Sequence, residues 1–88
     1  MSKPPMSAEE IIQIIESAFG PLRCVAEQWD YGKRIRFRVF NTANEPLITQ
    51  PDLLWRELSD ATRLEFVVEY CRDQVSKLGF ILDPWAFS

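Results

Sequence analysis

The spacing of apolar residues predicts an amphipathic helix near the start of the chain. Apolar side chains recur every three or four residues, which places them along one side of a helix: Ala8, Ile11, Ile12, Ile15, Ala18 and Phe19. Ser7 and Glu10 have the spacing of a capping box, in which each side chain bonds a backbone N–H at the helix start. Gly20-Pro21 follows, and proline cannot continue a helix, so we expect the helix to end there.

Alternation with a period of two predicts an antiparallel hairpin over residues 22–41. Its second strand has one apolar face and one face with an arginine at each position. The apolar face carries Ile35, Phe37 and Val39, and the opposite face carries Arg34, Arg36 and Arg38. Tyr31-Gly32 is expected to form the two-residue turn, because glycine readily adopts the positive φ that such turns need.

A two-residue loop fixes which residues of the two strands face each other. On the outer face it pairs Trp29 with Arg34 and Glu27 with Arg36, an indole and a carboxylate each beside a guanidinium. Both are favourable cross-strand pairs. We call this predicted surface the arginine face, and it comprises Arg34, Arg36, Arg38, Trp29 and Glu27.

The second half of the chain predicts a third short strand over residues 45–49 and two helices. The pattern leaves the place of that strand in the sheet open. Gln50-Pro51-Asp52 is expected to open a short helix, with proline at its first position. A longer helix begins at Ser59 or Asp60 and ends near Gly79, with this apolar stripe: Leu64, Val67, Val68, Cys71, Val75 and Leu78.

The order of these elements predicts an α+β fold. We expect a small antiparallel sheet of two to three strands with a central hairpin at 22–41, and the N-terminal helix and the C-terminal helices packed on one face of it. The chain has 88 residues, which is enough for one hydrophobic core. Residues 7–88 are therefore predicted to form a single domain, and the proline-containing segment 1–6 a disordered N-terminal arm.

The composition argues against most catalytic chemistry. The chain has no histidine, so it lacks the commonest general base and the usual Ser and Cys triads. Cys24 and Cys71 fall on apolar stripes, and two cysteines alone cannot complete a structural zinc site. No apolar run approaches the ~20 residues of a membrane span, and the start lacks a signal-peptide core. We expect a cytoplasmic, non-enzymatic protein without cofactor, metal site or membrane contact.

The charge distribution suggests one function for the arginine face. The net charge is −3, but residues 23–38 hold five basic and two acidic residues, a local +3 that leaves −6 elsewhere. The arginines could bind a nucleic acid or another phosphoanion while Trp29 stacks on a base. The wet face of an antiparallel sheet needs polar residues in any case, and the acidic remainder opposes nucleic acid. Nucleic-acid or phosphoanion binding is therefore the alternative function.

The aromatic side chains suggest another function, because they exceed what one small core needs. Five of them lack an obvious core position: Phe66, Tyr70, Trp55, Trp85 and Phe87. Either they form a surface for a partner chain, or the C-terminal tail folds back over them. A homodimer is compatible with both interpretations. We therefore favour a protein–protein interaction module that homodimerises, using both the arginine face and these aromatic side chains. An enzyme with an unrecognised small-molecule pocket is the third hypothesis.

Overall fold

The computed structural model of the chain describes residues 6–85. Its elements in chain order are α1 (Ala8–Ser17), β1 (Arg23–Trp29), β2 (Arg34–Phe40), β3 (Pro46–Leu54), α2 (Trp55–Leu58) and α3 (Ala61–Lys77). The strands form one antiparallel sheet in the order β1-β2-β3. α1 packs on β1 and β2, and α3 packs on β3 and α2. The predicted α+β class is confirmed, whereas all of the predicted arm except Met6 lies outside the described residues.

The start of α1 is held by the predicted capping box. The Ser7 hydroxyl accepts a hydrogen bond from the Glu10 backbone N–H at 3.2 Å, and the Glu10 carboxylate accepts one from the Ser7 N–H at 3.5 Å. Ile11 and Ile15 are completely buried, as the spacing predicts. At the other end, Phe19 packs its ring 5.9 Å from that of Phe37 on β2. The apolar side of α1 therefore faces the sheet.

The hairpin has the predicted register over its whole length, from Arg23 opposite Phe40 to Trp29 opposite Arg34. Its turn is closed by the Lys33 N–H, which donates to the Asp30 carbonyl at 3.1 Å. Tyr31 and Gly32 have φ of 56° and 79°, the positive values that two-residue hairpin turns need at both central positions.

The third strand is longer than predicted, and the prediction that a helix opens at Gln50-Pro51-Asp52 is wrong. β3 continues to Leu54, and α2 is a single turn that begins at Trp55. Leu53 pairs with Ile35 of β2, so the sheet ladder prevails over local helix propensity. Pro51 is tolerated because β3 is an edge strand with a register shift beside it.

The core lies between the inner face of the sheet and the helices. From α3 it contains Leu64, Val68, Cys71 and Val75, as predicted. Leu78 was expected in this stripe but is 55% exposed, because it is the C-cap residue where the helix ends. The helix begins at Asp60, whose carboxylate accepts from the backbone N–H groups of the first turn.

The outer edge of β1 is tied to α1 by one hydrogen bond. The Glu16 carboxylate accepts from the Ala26 backbone N–H at 3.0 Å. Since this N–H bonds Glu16 rather than β2, it points to the open side of the strand. A side chain from α1 thus occupies part of the sheet edge.

Candidate functional site

The arginine face is assembled as the sequence predicted. Because the register places Trp29 beside Arg34 and Glu27 beside Arg36, all five predicted residues lie on the outer face of β1 and β2. Trp29 lies close to two guanidinium groups, with its ring centroid 5.8 Å from Cζ of Arg34 and 5.5 Å from Cζ of Arg36. Such contacts stabilise the orientation of all three side chains.

Arg34 and Arg36 are paired with carboxylates of their own chain. Arg34 bonds Asp30 at 3.2 Å and also Asp52, which β3 brings to the same face. Hydrogen bonds to Asp52 and then Asp30 raise the pKa of the Arg34 guanidinium. Arg36 bonds Glu27 at 2.6 Å. Two of the three arginines in the row are therefore already balanced by negative charge.

Arg38 differs from the other two arginines. Among residues 6–85 the structure gives it no carboxylate or hydrogen-bonding partner. Its cross-strand neighbours are Val25 on β1 and Thr49 on β3, neither of which is charged. Its positive charge is thus available to a ligand.

A groove of ≈ 330 Å³ lies beside Arg38 on the outer face of the sheet. It is lined by Arg23, Val25, Glu27, Arg36, Phe37, Arg38, Phe40 and Thr49. The site predicted from the sequence did not include five of these residues: Arg23, Val25, Phe37, Phe40 and Thr49. The predicted hairpin register places Arg23 opposite Phe40, so the sequence did contain a signal for these two residues. Thr49 lies on β3, whose place in the sheet the sequence left open.

The predicted aromatic residues do not form one cluster. Phe66 and Tyr70 are 68% and 54% exposed on the side of α3 that faces away from the core. Trp55 is half-buried, and its Nε1 donates to the Met6 carbonyl at 3.1 Å. Trp85 is half-buried against the core, and Phe87 lies outside the described residues.

The described part of the C-terminal tail docks within its own chain. The Asp83 N–H donates to the Gly20 carbonyl at 2.7 Å. Arg72 of α3 donates to the carbonyls of Ala18 and Asp83, the latter at 2.8 Å, and its guanidinium lies 6.0 Å from the Trp85 ring. The tail therefore packs at the end of α1 and leaves the outer side of α3 uncovered by residues up to 85.

Both cysteines are buried free thiols. Burial, with smaller contributions from Glu16 and Cys71, raises the pKa of Cys24 to about 12. Burial likewise raises the pKa of Cys71 to about 11, against a hydrogen bond from Gln50 that acts in the opposite direction. At neutral pH both thiols are protonated and hence poor nucleophiles.

No group of three or more His, Cys, Asp or Glu side chains is placed to hold a metal ion within the described part of the chain. Nor does any helix in it have the length and apolar character to cross a bilayer. Comparison of the chain with protein-family models, curated proteins and solved structures gives no significant match.

Proposed function

We propose that this chain is a non-enzymatic protein–protein interaction module that homodimerises through the outer side of α3. The observation that carries the proposal is the exposure of Phe66 and Tyr70, one helical turn apart on that side. Large aromatic side chains are enriched at protein interfaces, where they bury much apolar area with few rotatable bonds. The protonated, buried thiols and the lack of histidine support the non-enzymatic part of the proposal.

The same side of α3 is chemically complementary to itself. In an antiparallel pair of α3 helices centred at the height of Val68, Phe66 of one protomer lies opposite Tyr70 of its partner. The same pairing sets Arg63 opposite Asp73. A two-fold axis repeats each contact, which is the commonest symmetry of oligomers. Asp73 already pairs with Lys77 at 3.0 Å, so Arg63 of the partner would complete a three-charge cluster.

The sequence suggested the arginine face as a second contact surface of the dimer, but the proposed interface leaves it out. α3 packs on the inner side of the sheet, and Phe66 and Tyr70 point away from the core, so the two surfaces lie on opposite sides of the molecule. A dimer through the arginine face would bring the uncompensated Arg38 side chains of two protomers together, and like charges repel.

The nucleic-acid alternative has less support from the geometry. Because Arg34 and Arg36 are held by Asp52, Asp30 and Glu27, the row offers fewer free charges than its sequence suggests. Affinity for nucleic acid depends on the number of phosphates that are neutralised. A single-stranded nucleic acid, which presents a row of phosphodiester groups, is therefore a poor match for this face.

The proposed dimer is tested by the solution mass of the chain across a dilution series. We expect a mass about twice 10.3 kDa at micromolar concentration. The double variant Phe66→Gln/Tyr70→Gln should be a monomer, since it removes both rings but keeps helix propensity. The matched control is Tyr31→Gln, which removes a fully exposed ring at the hairpin turn and should leave the dimer intact.

Charge reversal tests the proposed pairing of the helices. Arg63→Asp and Asp73→Arg should each weaken the dimer, and the two together should restore it. Circular dichroism of each variant checks that the fold is retained. A monomeric wild-type chain, or a dimer that survives loss of both rings, would refute the proposal.

A further inference from the structure

The groove beside Arg38 crosses all three strands of the sheet. Val25 of β1, Arg38 of β2 and Thr49 of β3 lie side by side across it, because Arg38 pairs with both of the others. This row offers an apolar side chain, a guanidinium and a hydroxyl within one concavity. Its volume, ≈ 330 Å³, falls at the lower end of the range of small-ligand sites.

The lining of the groove carries more positive than negative charge. Glu27 is the one carboxylate among the lining residues, and it is bound by Arg36 at 2.6 Å. Arg23 donates to the neutral amide oxygen of Asn44 at 3.0 Å and lies 4.8 Å above the Phe40 ring, so its charge is not balanced by these contacts. With Arg38, the groove therefore holds two guanidinium groups that no carboxylate among the described residues balances.

We propose that this groove binds a phosphate monoester whose apolar group lies against Val25. A phosphate monoester carries a charge of about −1.5 to −2 at neutral pH, which matches the two guanidiniums of Arg23 and Arg38. The planar fork of arginine bonds two phosphate oxygens at once, and the Thr49 hydroxyl can donate to a third. A carboxylate or a phosphodiester brings a single negative charge and leaves one guanidinium unbalanced.

The inference is independent of the proposed dimer. It rests on the outer face of the sheet, whereas the dimer uses the outer side of α3, on the opposite side of the molecule. Variants of Arg38 should therefore leave the solution mass unchanged. Variants of Phe66 and Tyr70 should leave ligand binding unchanged.

Amide chemical-shift titration of the ¹⁵N-labelled chain tests the site with two probes of the same shape. Phenyl phosphate is mainly a dianion at slightly alkaline pH, and phenyl sulfate is a monoanion. We expect phenyl phosphate to shift the amides of Val25, Arg38 and Thr49 and to bind at least about tenfold more tightly than phenyl sulfate.

Variants separate a specific site from general attraction to positive charge. Arg38→Gln should weaken binding of phenyl phosphate roughly tenfold or more, since it removes charge-assisted hydrogen bonds. Arg34→Gln is the matched control: it removes the same charge from the same row, but at a position outside the groove lining and already paired with Asp30 and Asp52. Thr49→Val should weaken binding by a smaller factor.

Any of the following results would overturn the proposal. One is the absence of saturable shifts at millimolar phenyl phosphate. Another is equal loss of affinity in Arg34→Gln and Arg38→Gln, or equal binding of phenyl sulfate, which would indicate unspecific attraction. The last is tighter binding of a single-stranded oligonucleotide at the same salt concentration, which would assign the face to nucleic acid.

Discussion

At the residue scale, three arginines at alternate positions of one strand have different carboxylate partners. Arg34 has two carboxylate partners, Arg36 has one, and Arg38 has none among residues 6–85. Alternation along β2 predicts that all three share a face, because side-chain direction is a local property of a strand. The hairpin register predicts Glu27 as the partner of Arg36. It cannot predict Asp52 as a partner of Arg34, since Asp52 lies on β3, eighteen residues later in the chain.

Also at the residue scale, the buried thiols predict how stability depends on pH. Burial raises the pKa of Cys24 from 9.0 to about 12 and that of Cys71 to about 11. Above pH 9 the unfolded chain therefore loses thiol protons that the folded chain keeps. The free energy of unfolding should fall as pH rises from 9 towards 11 and 12.

Urea unfolding at several alkaline pH values measures this effect. The variant Cys24→Ala/Cys71→Ala provides the comparison, because every other residue of the chain is unchanged in it. We expect a smaller loss of stability with pH in the variant than in the wild type. Equal slopes for the two proteins would show that the thiols do not contribute.

At the scale of elements, the hairpin was predictable and the third strand was not. The hairpin is specified by the alternation of apolar and polar residues and by the Tyr31-Gly32 turn. Each of these signals lies within about ten residues of sequence. β3 is specified by its pairing with β2, including the irregular step between Ile35 and Phe37 that places Gln50 and Leu53. Nothing local in Gln50-Pro51-Asp52 indicates that pairing. The β3 side of the groove, at Thr49, could not be predicted for the same reason.

Gly32→Ala tests the turn that sets the hairpin register. Gly32 has a φ of +79°, and a Cβ there would lie 3.2 Å from Oε1 of Gln28. Because an L-residue in the left-handed region costs about 1–2 kcal/mol, we expect a loss of that order in urea unfolding. Ser76→Ala on the exposed side of α3 is the control and should change stability by less than about 0.5 kcal/mol. An unchanged midpoint for Gly32→Ala would contradict the assignment.

At the scale of the whole molecule, Arg72 joins parts that are distant in sequence. It lies on α3 and donates both to Ala18 at the end of α1 and to Asp83 in the tail. The sequence gives no sign of this role, because an arginine on a helix is ordinarily read as a solvated charge. The sequence left open whether the tail docks on its own chain or on a partner. For residues up to 85, the tail docks on its own chain, and Arg72 supports that docking.

Arg72→Ala should therefore destabilise the fold and release the tail. Loss of hydrogen bonds from a charged donor corresponds to roughly 1.5–3 kcal/mol. In amide hydrogen exchange, Asp83, whose N–H donates to Gly20, should lose protection more than residues of the hairpin. Arg56→Ala, at an exposed arginine of α2 outside the proposed dimer interface, is the matched control. Uniform loss of protection would show only general destabilisation.

The contact between the Glu16 side chain of α1 and the edge of β1 has a consequence for how the protein behaves in a crowded solution. An open strand edge offers unpaired backbone groups to any extended segment, and amyloid-like growth and strand exchange begin there. By occupying the Ala26 N–H, Glu16 places a negative charge where an incoming strand would have to bond. A strand that approached this edge would therefore have to displace Glu16 from the Ala26 N–H before it could pair there.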